Sequence, residues 1–229
     1  MLHGGFIQNR QVWHQTGYVS RLSADFTVIT IDLRGHGESA APLTPQAYAA
    51  DRICADVQAV VAACGFDTFD VWGFSLGATI ALQMAARTTA LGRAVVAGSH
   101  FGTIFTPENV AASVAWTQHV LEAKKSGQLE ALGLSSDQRG FLEQANLDVT
   151  LAWYQALAYW PIVNPSDIRC PVLLYAGSLN AVTAARVREF QPQYRAAAVE
   201  YHIFEGLTHL EELSSIDTVF PLVKSFLTA

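Results

Sequence analysis

The sequence predicts an α/β protein with a doubly wound, mostly parallel sheet, and three observations favour this fold class. Short apolar segments rich in β-branched residues alternate with longer segments of helical periodicity. The short segments are almost continuously hydrophobic, which is typical of strands covered by helices on both faces. Glycine-rich or polar residues follow these strands, at the edge where parallel sheets bind ligands.

The elements follow in order along the chain. "FTVITIDL", Phe26 to Leu33, is predicted as a buried strand that ends at the glycine-rich "RGHGES". A helix is expected from about Pro45 to Ala63, because Gly65 follows as a stop signal. Further strands are predicted at 68–73, 93–98, 171–177 and 199–204, and further helices at about 76–87 and 211–227.

Residues 101–167 interrupt this alternation. They have helical periodicity and no convincing strand, and they lie between two strands that should be neighbours. Because such an insertion is too long for a simple loop, we interpret it as a helical cap. The predicted organisation is therefore a core of residues 1–100 and 168–229 with a cap of residues 101–167.

Composition narrows the function classes. The 229 residues are 51% hydrophobic and 15% charged with a formal charge of -6, as in a globular protein. The sequence contains no Lys/Arg stripe, which argues against nucleic-acid binding. The odd count of three cysteines, Cys54, Cys64 and Cys170, without a Cys-x-x-Cys pair favours buried thiols in a reducing compartment. The sequence shows neither a signal peptide nor an apolar run of about 18 residues, so a cytoplasmic protein without a membrane span is expected.

The segment "DVWGFSLGATIA" places a serine between a strand and a helix. Gly73-Phe74-Ser75-Leu76-Gly77 fits the pattern Gly-x-Ser-x-Gly, in which a sharp turn exposes the serine hydroxyl and the glycines permit close packing. The pattern alone also suits a simple tight turn. A mechanism needs partners from the other strand ends. His209 would take the proton of Ser75, and the N–H groups of Leu76 and of Gly5 or Phe6 would hold the oxyanion.

The chain resembles the α/β-hydrolase family over almost its whole length. The resemblance rests on His3-Gly4-Gly5, Trp13, "DLRGHGES" from Asp32 to Ser39, the serine turn, the following cap, "IRCPVLLYAG" and a late histidine. It implies a catalytic order of serine, acid and histidine, so that Ser75 and His209 take the first and last roles. It also implies that His36 braces the floor of the site.

Two departures from the family pattern change the expectations. Asn180 stands at the position implied for the acid, which predicts a slow Ser-His hydrolase that Asn180→Asp would accelerate, with Glu108 and Glu205 as weaker acid candidates. Only Met1 and Leu2 precede the His-Gly turn, so we expect either that the chain lacks N-terminal strands of the family or that its start is set late. The exposed strand edge that this leaves predicts a homodimer.

Aromatic residues of the cap favour an apolar pocket above Ser75. His100, Trp116, Trp153 and Trp160 are the predicted substrate contacts, although most cap aromatics are expected to pack the cap onto the sheet. The His, Asp and Glu residues show no metal-ligand spacing, so neither a metal nor a cofactor is expected.

Together these features predict a serine hydrolase of small apolar carboxylic esters, a carboxylesterase that forms an acyl-enzyme. A lactonase, a C–C bond hydrolase or a perhydrolase would use the same residues. A binding protein that has lost efficient turnover is the alternative from another class, and Asn180 is the feature that favours it.

Overall fold

The computed structural model describes residues 1–5 and 7–229. Its strands are β1 (Phe69–Phe74), β2 (Leu91–Ala97), β3 (Val172–Gly177) and β4 (Val199–Phe204). Its helices are α1 (Gln11–Gln15), α2 (Tyr18–Leu22), α3 (Ala50–Ala63), α4 (Leu76–Arg87), α5 (Pro107–Lys125), α6 (Ser136–Gln144), α7 (Leu147–Leu157), α8 (Ala181–Glu189), α9 (Gln191–Tyr194), α10 (Glu211–Ser214) and α11 (Ile216–Thr228). Short 3-10 helices lie at Pro45–Tyr48, Leu129–Leu132, Pro165–Asp167 and Arg195–Ala197.

The four strands form a parallel sheet in the order β1-β2-β3-β4. Successive side chains of each strand point to opposite faces, and two apolar cores follow from this alternation. On one face Val96 and Leu174 pack with α3, α4, α8 and α9. On the other face Val95 and Leu173 pack with α1, α2 and α11. Helices thus cover both faces, and the predicted doubly wound α/β class is confirmed.

The strand predicted over Phe26–Leu33 is wrong. Residues 27–30 are extended without a ladder, and Ile31 forms only an isolated bridge to Leu2. Leu2 bridges Gly73 on its other side, so the chain between Ile31 and β1 supplies a single bridging residue. Because a strand requires a continuous hydrogen-bonded neighbour, this short partner cannot complete the ladder. A cavity of about 340 Å³ lies between segment 26–31 and β1.

The chain between β2 and β3 is helical. It holds α5, α6 and α7, and an antiparallel bridge between Gly102 and Val163 ties its two ends together, with a 2.9 Å hydrogen bond from the Gly102 N–H to the Val163 carbonyl. The Gln83 amide on α4 adds a 2.6 Å bond to the Pro161 carbonyl. The helical segment is therefore anchored beside the carboxyl ends of the strands, and its division as a cap at 101 and 167 stays a prediction.

The thiols differ in their surroundings. Cys54 and Cys170 are buried, as predicted, but Cys64 is exposed because it lies at the C-terminal end of α3, where the helix turns into solvent. None of the helices in the described part of the chain has the length and hydrophobicity that crossing a membrane requires.

Candidate active site

Ser75 occupies a sharp turn between β1 and α4. Its backbone has φ 54° and ψ -112°, a conformation that costs about 1–3 kcal/mol and persists only where the surroundings enforce it. The Ser75 N–H donates to the Ala97 carbonyl at 2.8 Å, and the Gly77 N–H donates to the His3 carbonyl at 3.1 Å. A side chain at Gly73 would overlap the backbone of Gly77, so the turn closes only because these residues are glycines.

His209 reaches Ser75 from the loop after β4. Its Nε2 lies 3.1 Å from Ser75 Oγ, within hydrogen-bond distance. The imidazole stacks on Phe74 with ring centroids 4.8 Å apart, and this packing holds the ring beside the serine turn. Ser75 and His209, predicted as partners from the sequence, are thus brought together by the fold.

Glu212 holds the other nitrogen of the imidazole. His209 Nδ1 lies 2.8 Å from Glu212 Oε2. Glu212 Oε1 accepts bonds from the Gly177 N–H at 2.7 Å and from the Asn180 amide at 2.9 Å, and the side chain is completely buried. Because a carboxylate is an acceptor, the Nδ1 proton of His209 goes to Glu212 and Nε2 is left as the base toward Ser75.

Gly98, at the end of β2, makes room for this pair. Its φ is +68°, and a Cβ there would overlap Glu212 Oε2 and lie 2.7–2.8 Å from the His209 ring. Its N–H donates to the Tyr175 carbonyl at 2.9 Å. Glu212 and Gly98 were both missed from the sequence. The signal for Glu212 was its position three residues after His209, a spacing that brings side chains together on a helical turn.

The predicted oxyanion donors lie around the serine. Leu76 is the first residue of α4, where N–H groups have no intrahelical acceptor and the helix dipole favours negative charge. Leu76 and Gly5 both line the cavity that contains Ser75. Phe6, the other predicted donor, lies outside the described residues.

A family model described as the alpha/beta hydrolase fold matches residues 1–121. The chain belongs to the α/β-hydrolase fold family. The matched region includes the His-Gly turn, the DLRGHGES loop and the serine turn, which are the residues that carried the resemblance.

Solved structures of this fold superimpose on almost the whole chain. An enol-lactonase from Burkholderia xenovorans LB400 matches with a TM-score of 0.76 and 21% identity, covering 100% of this chain and 90% of its own. An esterase from Exiguobacterium antarcticum matches with 0.74 and 21%, covering 100% and 91%. A hydrolase from Pseudomonas aeruginosa PA01 matches with 0.75 and 22%, covering 100% and 89%. At these identities the likeness concerns the fold.

Asn180 was predicted at the acid position, but the carboxylate that contacts His209 Nδ1 is that of Glu212. Asn180 does lie beside His209, with Nδ2 3.1 Å from Nδ1, but both atoms direct their protons to Glu212, so no bond forms between them. The weaker acid candidates are also wrong. Glu205 accepts a bond from the Ser178 hydroxyl at 2.9 Å, and Glu108 is an exposed residue of the first turn of α5.

A cavity of about 220 Å³ opens beside Ser75. Its roof comes from α7, through Val149, Trp153 and Leu157, and Ile104 and Phe105 add apolar surface. The described lining contains no Lys, Arg, Asp or Glu. The polar lining consists of Ser75, Thr79, Ser99, His100, Asn146, Thr150, Tyr154 and Thr183, together with His36.

The predicted substrate contacts divide into two groups. His100 and Trp153 line the cavity. Trp160 and Trp116 are not among the described lining residues, which corrects their predicted role. Trp160 donates its Nε1 proton to the Tyr48 carbonyl at 2.9 Å and packs in the core, and Trp116 is 48% exposed on α5.

His100 presents an acceptor to the cavity. The residue is 7% exposed, and its Nδ1 lies 2.7 Å from the Phe101 carbonyl, to which it donates. Burial lowers the pKa of His100, so the ring is neutral near pH 7 and Nε2 carries a lone pair. No described residue contacts Nε2 by a hydrogen bond, which leaves this atom for a ligand.

The DLRGHGES loop forms the floor of the site. Asp32 accepts bonds from the Arg10 N–H at 2.7 Å and the Glu38 N–H at 3.0 Å, and it pairs with the Arg10 guanidinium. The neutral His3 ring accepts the Leu33 N–H at 3.0 Å, and burial lowers the pKa of His3 to about 3. His36 packs against His3, as expected for a structural histidine, while also lining the cavity.

In the described part of the chain no three His, Cys, Asp or Glu residues are grouped so that they would hold a metal ion.

Proposed function

We propose that the protein is a serine hydrolase that cleaves small, uncharged carboxylic esters through an acyl-enzyme. Membership of the α/β-hydrolase family favours a hydrolase. The observation that carries the proposal is the 3.1 Å distance from His209 Nε2 to the hydroxyl of Ser75, which lines a cavity and precedes the N-terminus of α4.

The chemistry follows from this arrangement. Ser75 Oγ attacks the ester carbonyl carbon, and its proton passes to His209 Nε2. The carbonyl oxygen becomes an oxyanion beside the Leu76 N–H and the start of α4. His209 then protonates the departing alkoxide, which leaves as an alcohol. Water attacks the acyl-enzyme with its proton going to His209, and return of that proton to Ser75 releases the carboxylic acid.

The cavity supports small substrates without charge. Its volume of about 220 Å³ lies below the roughly 300–1,000 Å³ of pockets for drug-sized ligands. No charged Lys, Arg, Asp or Glu in the described lining offers a partner for an ionic group, and burying an unpaired charge is costly. Acetyl to butyryl esters should therefore react at least about tenfold faster, by kcat/KM, than decanoyl esters, a difference of about 1.4 kcal/mol in barrier.

Hydrolysis of p-nitrophenyl butyrate tests the proposal. Ser75→Ala should lower kcat at least about 10³-fold, and a serine-directed phosphonate should label the wild type at Ser75 and stop turnover. Ser23→Ala is the matched control, because this exposed serine bonds only within its own helical turn, to the Val19 carbonyl at 2.7 Å. More than a tenth of wild-type activity in Ser75→Ala, with Ser23→Ala unchanged, would exclude Ser75 as the nucleophile.

A binding protein without turnover is the alternative from another class. It was favoured by the amide at Asn180, and the Glu212 carboxylate 2.8 Å from His209 weakens that argument. Stoichiometric phosphonate labelling without ester turnover would identify this alternative. A lactone is an internal ester and would react by the same steps, so a small lactone belongs in the same assay.

The cellular setting stays a prediction. We expect a cytoplasmic protein that acts on a small molecule, and the charge of -6 gives no basis for nucleic-acid binding.

A further inference from the structure

The fold places a carboxylate where the family resemblance did not predict one. Glu212 follows His209 by three residues in the turn that begins α10. The Glu212 N–H donates to the Thr208 carbonyl at 3.1 Å, and the Glu211 side chain accepts from the Thr208 N–H at 2.8 Å. These local bonds fix the backbone of the turn that carries both His209 and Glu212.

The buried carboxylate of Glu212 is surrounded by hydrogen-bond donors. Its two oxygens receive three donors, from His209 Nδ1, the Gly177 backbone and the Asn180 amide, at 2.7–2.9 Å. The side chain is 0% exposed, and a buried charge is tolerated only where donors satisfy it. Each donor here bonds to the carboxylate directly.

Asn180 is complementary to this carboxylate. Its Nδ2 lies 2.9 Å from Glu212 Oε1, so an amide at position 180 donates a hydrogen bond where an aspartate would present a second negative charge. Two carboxylates at this distance cannot both be ionised near neutral pH. Positions 180 and 212 therefore accommodate one carboxylate and one amide.

We propose that Glu212 is the acid of the catalytic triad and that Asn180 is its positioning residue. This inference rests on the proposed function, because it assigns the group that orients and stabilises His209 while Ser75 reacts. Glu212 retains the His209 tautomer and stabilises the imidazolium, and Asn180 holds Glu212 toward His209.

If Glu212 is the acid, substitutions at positions 180 and 212 should have effects opposite to those expected if Asn180 held the acid position. Glu212→Gln should lower kcat about 10³–10⁴-fold, because an amide at this place can donate to Nδ1 and favour the wrong tautomer. Asn180→Asp should lower kcat/KM at pH 7 and move the acidic limb of its pH profile upward, because the two carboxylates would share a proton. If position 180 were the acid position and only lacked its carboxylate, Asn180→Asp would instead raise kcat/KM.

Exchanging the amide at position 180 and the carboxylate at position 212 tests the proposed roles most directly. The double variant Asn180→Asp with Glu212→Gln restores one carboxylate and one amide, so its kcat should exceed that of Glu212→Gln by at least about tenfold. Glu205→Gln is the matched control, since this exposed carboxylate follows β4 and bonds to Ser178 rather than to His209. Its kcat should stay within about twofold of wild type.

The outcomes separate this inference from the proposed function. Residual activity in Ser75→Ala would overturn the proposed function itself. Full loss in Ser75→Ala, with Glu212→Gln within tenfold of wild type, would overturn only the role of Glu212. Should Glu212→Gln fail to fold, Asn180→Asp decides alone: a rise of tenfold or more at pH 7 overturns the proposal, and a fall with an upward-shifted acidic limb supports it.

Discussion

Gly98→Ala tests whether His209 and Glu212 need the absence of a side chain at position 98, directly after β2, to keep their positions. A methyl group at this position would overlap Glu212 Oε2 and lie 2.7 Å from His209 Cε1, whereas carbon atoms in contact are normally about 3.5–4.0 Å apart. The imidazole must then retreat by roughly 0.8 Å or more, and the carboxylate must move with it. Since misplacement by about 1 Å can cost 10²-fold in rate, kcat/KM should fall at least about 100-fold.

The matched control is Gly127→Ala. Gly127 has φ +69° against +68° for Gly98, but a Cβ there would meet nothing within 4 Å. Both variants carry the backbone strain of an alanine in the left-handed region, about 1–2 kcal/mol, and should lose a few degrees of Tm. Only Gly98→Ala should lose p-nitrophenyl butyrate hydrolysis per folded molecule, with folding checked by near-UV circular dichroism. If both retained kcat/KM within tenfold of each other, the steric argument would be refuted.

Three further predictions concern the floor, the cavity and the sheet edge. Burial would raise the pKa of Asp32, but the backbone donors and the Arg10 guanidinium outweigh it and lower that pKa below 3.8. Asp32→Asn should therefore lower the free energy of unfolding by about 2 kcal/mol at pH 7, as measured by urea titration. This deficit should shrink only as the pH falls below about 4, and a deficit independent of pH would contradict the reasoning. His100→Phe should lower kcat/KM about fivefold for a 3-hydroxybutyryl ester relative to the butyryl ester, because Nε2 no longer accepts the hydroxyl proton; an unchanged ratio would show that His100 does not contact the acyl chain. We also expect self-association through segment 26–31, which forms no continuous ladder, and a stable monomer in light scattering at micromolar concentration would contradict this.

The periodic segments could be predicted from sequence because their signals are local. Helix α4 and strand β4 lie at the residues expected, 76–87 and 199–204, since one carries an uninterrupted helical run and the other a β-branched run. Segment 26–33 has an equally clear strand pattern and yet forms no ladder, because strand formation also requires a neighbour. The sequence pattern reports only the residue types of this segment, whereas ladder formation depends on which chain lies beside it in the sheet.

The site could be predicted only in part for a similar reason. Ser75 and His209 belong to local motifs whose order along the chain indicates that they meet. Trp116 and Trp160 have the same aromatic character as Trp153, but the rotation of α5 about its axis leaves Trp116 exposed, and Trp160 lies beyond the end of α7 at Leu157. The aromatic composition of the segment does not determine where these rings lie relative to the cavity.

The position of Glu212 also changes how the parts of the site are linked. With the order serine, histidine, acid, His209 and Glu212 lie in one turn, so they move together with α10 while Ser75 belongs to the sheet. Their mutual distance is local, but the distance from Nε2 to Oγ depends on contacts between the turn and the sheet. These contacts include the stacking of Phe74 on His209, the Gly177 N–H that donates to Glu212 Oε1 and the Tyr175 hydroxyl that donates to the Glu212 carbonyl, and Gly98 leaves the space that they require. Perturbing any of them should therefore alter the Ser75–His209 step while leaving the His209–Glu212 pair intact, except at Gly98, where both distances change together.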